Sequence, residues 1–317
     1  MNIILGFIKN NLLEEIKNKD FVLYSYWLFT TARIGVLIKN KLNPIYCFSR
    51  AHRYDLYEEE NYIKYLPYRN LFFNEYNNIF PCSNNGTIYL QNKYPAVTEK
   101  IKTSYLGTVD HGINPIYIDS VFHIISCSRV EPVKRINKIV DAFEILDNKN
   151  IQIEWTHIGG GSELNKIKLM CQKRIKNIKC YFKGNLNNSD VIRLYQKNKY
   201  NLFINVSSSE GLPVSIMEAI SFGIPVIATD VGGTSEIVIN KVTGQLIEKD
   251  FTASKLAKIL EEYTNKDLTN LKENCRSFWR ATFQADIQYS KLQEYIRKCI
   301  MENKDDSGKN CVTQKVD

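Results

Sequence analysis

Two carboxylates, Glu210 and Glu218, stand eight positions apart, and Gly211, Leu212, Pro213 and Val214 directly follow the first. The stretch around them, Asn205 to Val238, reads as a strand end, a tight turn, a short helix and a second strand. Pro213 has no N–H and a φ preset for a first helical turn, and Gly211 lets the backbone come close to a ligand. The amides of Leu212 and of Val214 onward then face the approach to a helix whose dipole favours a phosphate. Glu218 lies further along that helix, and helical side chains lean toward the N-terminus, so its carboxylate reaches back to the same ligand. Arg129 and Lys134 supply two cations, and Lys183 with Gly184 forms another polar turn. Gly, Ser, Arg and Lys gathered in this way are what an anionic ligand held by backbone amides and two cations requires.

The elements that must position these groups are legible from about residue 120 onward, where β-rich runs alternate with helical patterns in the manner of a doubly wound parallel sheet. Strands are expected at Phe122 to Cys127, Ile151 to Ile158, Ile178 to Phe182, Leu202 to Val206 and Val226 to Thr229. Between them, Ile136, Ile139, Val140, Phe143 and Leu146 recur at helical spacing, a helix opens near Ser162, Ser189 caps another, and Pro213 to Phe222 forms a short one closed by Gly223. Ligands of such sheets sit outside the carboxyl ends of the strands, which is where Ser128-Arg129, Gly159-Gly160-Gly161-Ser162, Lys183-Gly184-Asn185, Ser207 to Gly211 and Asp230 to Gly233 fall. The first third is less regular, with strands expected at Phe21 to Trp27, Pro44 to Phe48, Asn78 to Cys82 and Ile101 to Leu106, preceded by an amphipathic helix over residues 1–20.

The run from Glu210 to Ala219 resembles the EGxPxxxxEA signature of retaining glycosyltransferases of the GT-B fold, in particular the large family 4 of bacterial polysaccharide enzymes. The likeness extends to SRVEPVKR at Ser128 to Arg135, HIGGGSE at His157 to Glu163 and FKGNL at Phe182 to Leu186. It implies that Arg129 and Lys134 bind the donor diphosphate together with the Gly211, Leu212, Pro213 and Val214 backbone. It further implies that Glu218 binds the ribose hydroxyls, Glu210 the transferred sugar, and Lys183 and Gly184 the base. Arg135 stands where the family commonly has Gly. In the first third, Phe48 to Tyr57 resembles the RAHxYDLYE segment of a subset of these enzymes, which makes His52 a second catalytic candidate beside Glu210; a neutral imidazole there can hydrogen-bond the sugar or the acceptor hydroxyl.

The resemblance implies two Rossmann-like domains facing a cleft, with the first one incomplete and the chain shortened at its N-terminus. The expected division is 1–112 for a partial acceptor-side domain and 113–278 for the nucleotide-sugar domain. A helix over 279–300 returns to the first domain, and a polar tail over 301–317 is expected to be disordered. The reaction implied is retaining transfer of a sugar from a nucleotide diphosphate sugar to a saccharide or lipid-linked acceptor in surface polysaccharide biosynthesis. Departure of the diphosphate builds negative charge, which two fixed cations and a helix N-terminus stabilise, so neither a metal nor another cofactor is expected. Rival readings are a nucleotide-sugar-binding subunit that has lost catalysis and needs a partner, and a nucleotide-sugar epimerase of the same architecture.

Each part alone has a plainer reading: Glu218 as an exposed helical residue, Arg129 and Lys134 as surface cations, Gly159 to Gly161 as an ordinary turn, and His52 as a structural histidine. The pattern as a whole reverses those readings. With 317 residues, 44% of them hydrophobic and 24% charged, the chain has the balance of a globular protein of about two domains. Eight scattered cysteines without a CxxC pair suggest reduced structural thiols rather than zinc or disulfides. The net charge of +8 is spread along the chain, which favours a solvated surface over a nucleic-acid partner, with weak peripheral contact to an acidic membrane as the alternative. Acidic residues soon after the apolar start make a poor secretory signal, so the expected location is the cytoplasm, extending to the inner face of the membrane.

Overall fold

The computed structural model of the chain describes residues 16, 19–115, 120–149 and 151–312. The amphipathic helix expected over residues 1–20 lies almost wholly outside these described residues. The chain divides into two compact units, Met1–Tyr105 with Ile287–Asp317, and Leu106–Asp286.

The first unit carries β1 (Val22–Ser25), α1 (Thr30–Leu42), β2 (Tyr46–Ala51), α2 (Arg69–Glu75), β3 (Asn78–Pro81) and α3 (Asn84–Lys93). Its three strands pair in parallel in the order β1-β2-β3. Leu28, Ala32, Val36, Phe72, Phe73 and Leu90 bury their side chains in one cluster with Cys47, Ala51 and Ile79 of the sheet. The expected strand at Ile101 to Leu106 does not form. That segment keeps one bridge, Ile79 to Ile101, and two bonds to the edge of β3, Lys102 N to Ile79 O at 3.1 Å and Ser104 N to Pro81 O at 3.0 Å. The carbonyl of Ser104 is taken instead by the buried Arg50 guanidinium, 2.8 Å away.

The second unit holds β4 (Phe122–Cys127), α4 (Ile136–Leu146), β5 (Ile153–Ile158), α5 (Leu164–Arg174), β6 (Lys179–Phe182), α6 (Asn188–Lys197), β7 (Leu202–Asn205), α7 (Val214–Ser221), β8 (Val226–Thr229), β9 (Gly244–Ile247), α8 (Ala253–Thr264) and α9 (Thr269–Thr282). All six strands are parallel, in the order β6-β5-β4-β7-β8-β9. In each direction from β4 the chain winds outward, so the order reverses between β4 and β7, and the crevice at their carboxyl ends is where such a sheet takes ligands. The five strands expected here appear within two residues of their expected ends, while β9 was not anticipated. Alternation explains the burial: Ile124, Trp155 and Ile204 enter one core with Ile139, Val140 and Phe143 of α4 and Leu256 and Leu260 of α8. The cap of α6 is Asn187 rather than Ser189; its side chain accepts from Asp190 N at 2.9 Å.

The unit boundaries fall at 105/106 and 286/287, where the sequence placed them at 112/113 and 278/279. Thr108 is the reason. Its amide donates to Phe283 O at 2.9 Å, its carbonyl accepts from Ala285 N at 3.0 Å, and its hydroxyl accepts from Trp279 Nε1 at 2.7 Å, which zips both connecting segments onto the second unit. Gly107 permits this, because a Cβ there would lie 2.4 Å from Ala285 Cα. The expected single helix over 279–300 is therefore two, α9 ending at Thr282 and α10 (Ala285–Val312) beginning after the break. Leu292, Tyr295 and Ile296 of α10 pack on Tyr46, Phe48 and Phe80, supplying the second layer of the first sheet. Helix runs to Val312, well into the tail expected to be disordered, and residues 313–317 lie outside the described residues. Among the described residues no helix is long and apolar enough to cross a membrane.

Candidate functional site

At the carboxyl ends of β4 and β7 the two loops grip each other. Ser208 N donates to Val133 O at 2.8 Å, and Arg135 sends Nε to Val206 O at 2.7 Å and a terminal nitrogen to Ser207 O at 3.1 Å. Arg135 adopts φ +50, a left-handed conformation that Gly takes without cost, which accounts physically for the Gly that the family commonly carries there. Its side chain also stacks over Phe251 at 5.4 Å, so Arg135 is neither an added ligand cation nor loose surface.

Within this frame Lys134 Nζ lies 2.6 Å from Glu210 Oε1. The same oxygen accepts from Asn205 Nδ2 at 3.2 Å, while Asn205 Oδ1 accepts from Ser207 N at 3.0 Å. Glu210 is thus a buried carboxylate fixed by a cation and an amide, and Lys134 keeps two N–H donors for another acceptor. Asn205, which carries no signal of its own in the sequence pattern, positions the Glu210 carboxylate. Arg129 is exposed and makes no hydrogen bond or ion pair among the described residues.

Helix α7 follows directly. Pro213 is its N-cap, with ψ 103, rather than its first helical residue, and its carbonyl accepts from Ile216 N at 3.1 Å and Met217 N at 3.3 Å. Among the described residues the Val214 and Ser215 amides have no acceptor and are open donors at the start of the helix. Gly211 O accepts from Gly233 N at 2.7 Å, and a Cβ on Gly232 would lie 1.9 Å from Glu210 O. The loop after β8 is therefore pressed against the Glu210-Gly211 backbone and sets its position. Glu218, half-buried on α7, accepts from Asn188 Nδ2 at 2.8 Å; burial raises its pKa and the Asn188 bond partly offsets that. Cys127, at the end of β4, is pushed up to about 12 by burial and then by the neighbouring Glu218 charge, so it is an inert thiol.

The Gly-rich turn after β5 has a structural task. A Cβ on Gly159 would lie 1.9 Å from Ser128 O and one on Gly161 2.5 Å from Val130 O, so these glycines let the turn close on the Arg129 segment. Gly184 takes φ +66 and its carbonyl accepts from Gly159 N at 2.8 Å, while Lys183 is exposed with its ammonium 5.9 Å from the Tyr181 ring centroid. His157 is buried beneath this turn, its Nδ1 2.8 Å from Ser126 Oγ, which also accepts from Trp155 Nε1 at 2.9 Å. Burial lowers its pKa to about 4.

In the first unit the Arg50 to Glu58 segment is largely a scaffold. Asp55, fully buried, accepts from His52 N at 2.5 Å and from Leu28 N, and Arg69 donates to the Asp55 and Leu28 carbonyls. His52 is buried with Nε2 3.1 Å from Tyr26 O; a carbonyl only accepts, so that nitrogen carries the proton. Burial, then the Arg50 charge, lowers the His52 pKa to about 4, which leaves a neutral ring whose Nε2 is already engaged.

Residues 119–280, just over half of the chain, match the family model described as glycosyl transferases group 1. The O-antigen biosynthesis glycosyltransferase WbnH of Escherichia coli is 37% identical over 110 residues, covering 34% of this chain and 30% of that protein. The first two curated relatives are thus each spanned over less than a third of their length. An uncharacterized glycosyltransferase, MJ1178 of Methanocaldococcus jannaschii, is 26% identical over 278 residues, 86% of this chain and 73% of that one. Among solved structures, Anabaena Alr3699/HepE in complex with UDP superposes with a TM-score of 0.75 at 17% identity, over 91% of this chain and 81% of that chain. Sucrose-phosphate synthase of Thermosynechococcus elongatus does so with a TM-score of 0.76 at 16% identity, over 95% and 79%. These likenesses show the fold, two Rossmann-like α/β units of the GT-B class. With the family match lying on the unit that brings Arg129, Lys134, Glu210 and Glu218 to one sheet edge, the chain belongs to the glycosyl transferases group 1 family.

Proposed function

We propose that the chain transfers a sugar from a nucleotide diphosphate sugar to a saccharide or lipid-linked acceptor, with retention at the anomeric carbon, in the biosynthesis of a surface polysaccharide. The observation that carries this reading is the Lys134–Glu210 pair at 2.6 Å, placed at the sheet's switch point directly ahead of the open end of α7. The diphosphate lies against Arg129, Lys134 and the Val214 and Ser215 amides, the ribose hydroxyls against Glu218, and the base beside Lys183 and Gly184. As the bond from the anomeric carbon to the phosphate oxygen breaks, negative charge grows on the leaving diphosphate, where the two cations and the helix end stabilise it without a metal. Glu210 stabilises the sugar, the acceptor oxygen enters on the face the phosphate leaves, and the phosphate takes the acceptor proton.

The name of the Escherichia coli relative, which places it in O-antigen biosynthesis, and the UDP bound by the Anabaena neighbour support this choice of pathway class and ligand. Calorimetric titration of the whole chain with UDP and GDP, then an acceptor screen scored for nucleoside diphosphate release, tests it. Failure to bind either nucleotide overturns the reading, inverted linkage by NMR overturns retention, and loss of turnover in EDTA overturns metal independence. We further propose weak contact with an acidic membrane surface, which flotation with anionic vesicles checks.

A further inference from the structure

The carboxyl end of β1 in the first unit presents a cluster of exposed aromatic rings. Tyr24, Tyr26, Trp27 and Tyr289 are 44%, 48%, 40% and 43% exposed. Tyr24 lies flat on Phe48 at 4.7 Å and 17°, Tyr26 stands nearly perpendicular to Tyr24 at 6.2 Å and 74°, and Trp27 stands nearly perpendicular to Tyr26 at 5.6 Å and 79°. Buried His52 backs both Tyr26 and Trp27 at 4.6 Å each. The rings are therefore propped from behind and hold fixed angles to one another.

The exposed side chains of the cluster are apolar in their faces, uncharged and hydroxylated at the tyrosine rims. Two polar groups back it from the interior: buried Arg50 donates to Ser104 O and Oγ and also bonds the Tyr24 phenol, and the neutral His52 donates to Tyr26 O. Burial keeps the Tyr24 phenol protonated, with a pKa pushed up to about 12. Among the described residues, the cation that acts on Tyr24 is Arg50, which is buried. A flat ligand with polarised C–H groups on its face and hydroxyls on its edge fits such rings, because the C–H groups meet the negative π faces while phenol hydroxyls reach the edge.

We infer that Tyr24, Tyr26 and Trp27 form a stacking subsite for a neutral pyranose ring of the acceptor saccharide. The inference rests on the reading of the chain as a glycosyltransferase and names the chemistry of its acceptor. The aromatic rings recognise the sugar's apolar face, so the acceptor is a neutral glycan at the stacked position and not an anionic headgroup.

Trp27 makes this directly testable. Of the three tryptophans, Trp155 and Trp279 are fully buried, so acrylamide quenching of the intact chain reports on Trp27. The probes are the methyl α- and β-pyranosides of glucose, galactose and N-acetylglucosamine, with phosphatidylcholine and phosphatidylglycerol vesicles as a separate arm. At least one pyranoside is expected to lower the quenching constant about twofold, as burial of most of a bound ring's surface would require. Protection should be lost in Tyr26→Ala and kept in Tyr26→Phe, which retains the ring. Absence of protection by every pyranoside overturns the inference, as does protection that survives Tyr26→Ala, or protection by vesicles alone. UDP and GDP titrations on the same samples separate the failures: nucleotide binding without sugar protection sinks the subsite only, whereas loss of nucleotide binding sinks the reading beneath it.

Discussion

The two parallel sheets end in unlike edges. In the second unit the strand ends carry Arg129, Lys134, Glu210 and Glu218 with a helix end between them, and charge is met by charge: Lys134 to Glu210 at 2.6 Å. In the first unit the strand ends carry aromatic rings over a neutral, buried His52, and Asp55 and Arg69 are spent on backbone groups. The same topological rule brings both sets to a carboxyl edge. What differs is whether the polar side chains at that edge are left open or absorbed into the scaffold, and on the proposed function only the open edge takes the anion.

The sharpest way to break the contrast is Lys134→Ala. Loss of one fixed donor to a developing anion costs on the order of 3 kcal/mol, so turnover should fall about 100-fold with the fold retained by circular dichroism. Wild-type turnover would remove Lys134 from the chemistry. Glu210→Gln sharpens the same point, because it frees Lys134: transfer should fall at least about tenfold while calorimetry shows UDP or GDP bound about fivefold more tightly, as relief of roughly 1 kcal/mol of competition predicts. Weaker nucleotide binding in that variant would mean the carboxylate helps hold the diphosphate.

Next comes Gly232→Ala, which places a Cβ 1.9 Å from Glu210 O at a residue with φ +55. It should cost about 1–3 kcal/mol in a denaturant titration and weaken nucleotide binding, and an unchanged midpoint would show that the loop yields freely. The smallest effect is in pH. His157 and His52 have pKa values near 4 against an ordinary 6.5, so the unfolded chain takes up their protons first as pH falls. Their contribution is full above about 6.5 and is lost as pH drops toward about 4. Asp55, raised to about 6, works in the opposite sense, its contribution lost as pH rises through about 6. His157→Gln should therefore flatten the acid fall in thermal midpoint; an identical slope would place the titration elsewhere.

Legibility followed the same division. The strands of the second unit could be read because buried apolar runs there end abruptly in Gly, Ser or charged residues, as at Leu202 to Asn205 before Ser207. The candidate site residues were named from short motifs that follow the strands, and the fold brings Arg129, Lys134, Glu210 and Glu218 to one sheet edge. The scaffold could not be read, since whether a polar residue is open or absorbed depends on partners distant in sequence: Thr108 with Phe283, Arg50 with Ser104, and Gly232 against Glu210. Pro213 was misplaced by one position because a proline preset for a first helical turn also fits the residue before it, here with ψ 103. Gly159 and Gly161 looked like ligand-facing glycines, yet a glycine that admits a neighbouring backbone and one that admits a phosphate are identical in sequence.

The interleaved course of the chain has a consequence for its synthesis. Residues Leu106–Asp286 are contiguous, so the second unit can fold as soon as it clears the ribosome. The first cannot finish, because Tyr46, Phe48 and Phe80 wait for Leu292, Tyr295 and Ile296, which are translated near the end. A nascent chain halted at Asp286 would carry an uncovered aromatic sheet face while its second unit is already complete, making the earliest-translated unit the last to mature.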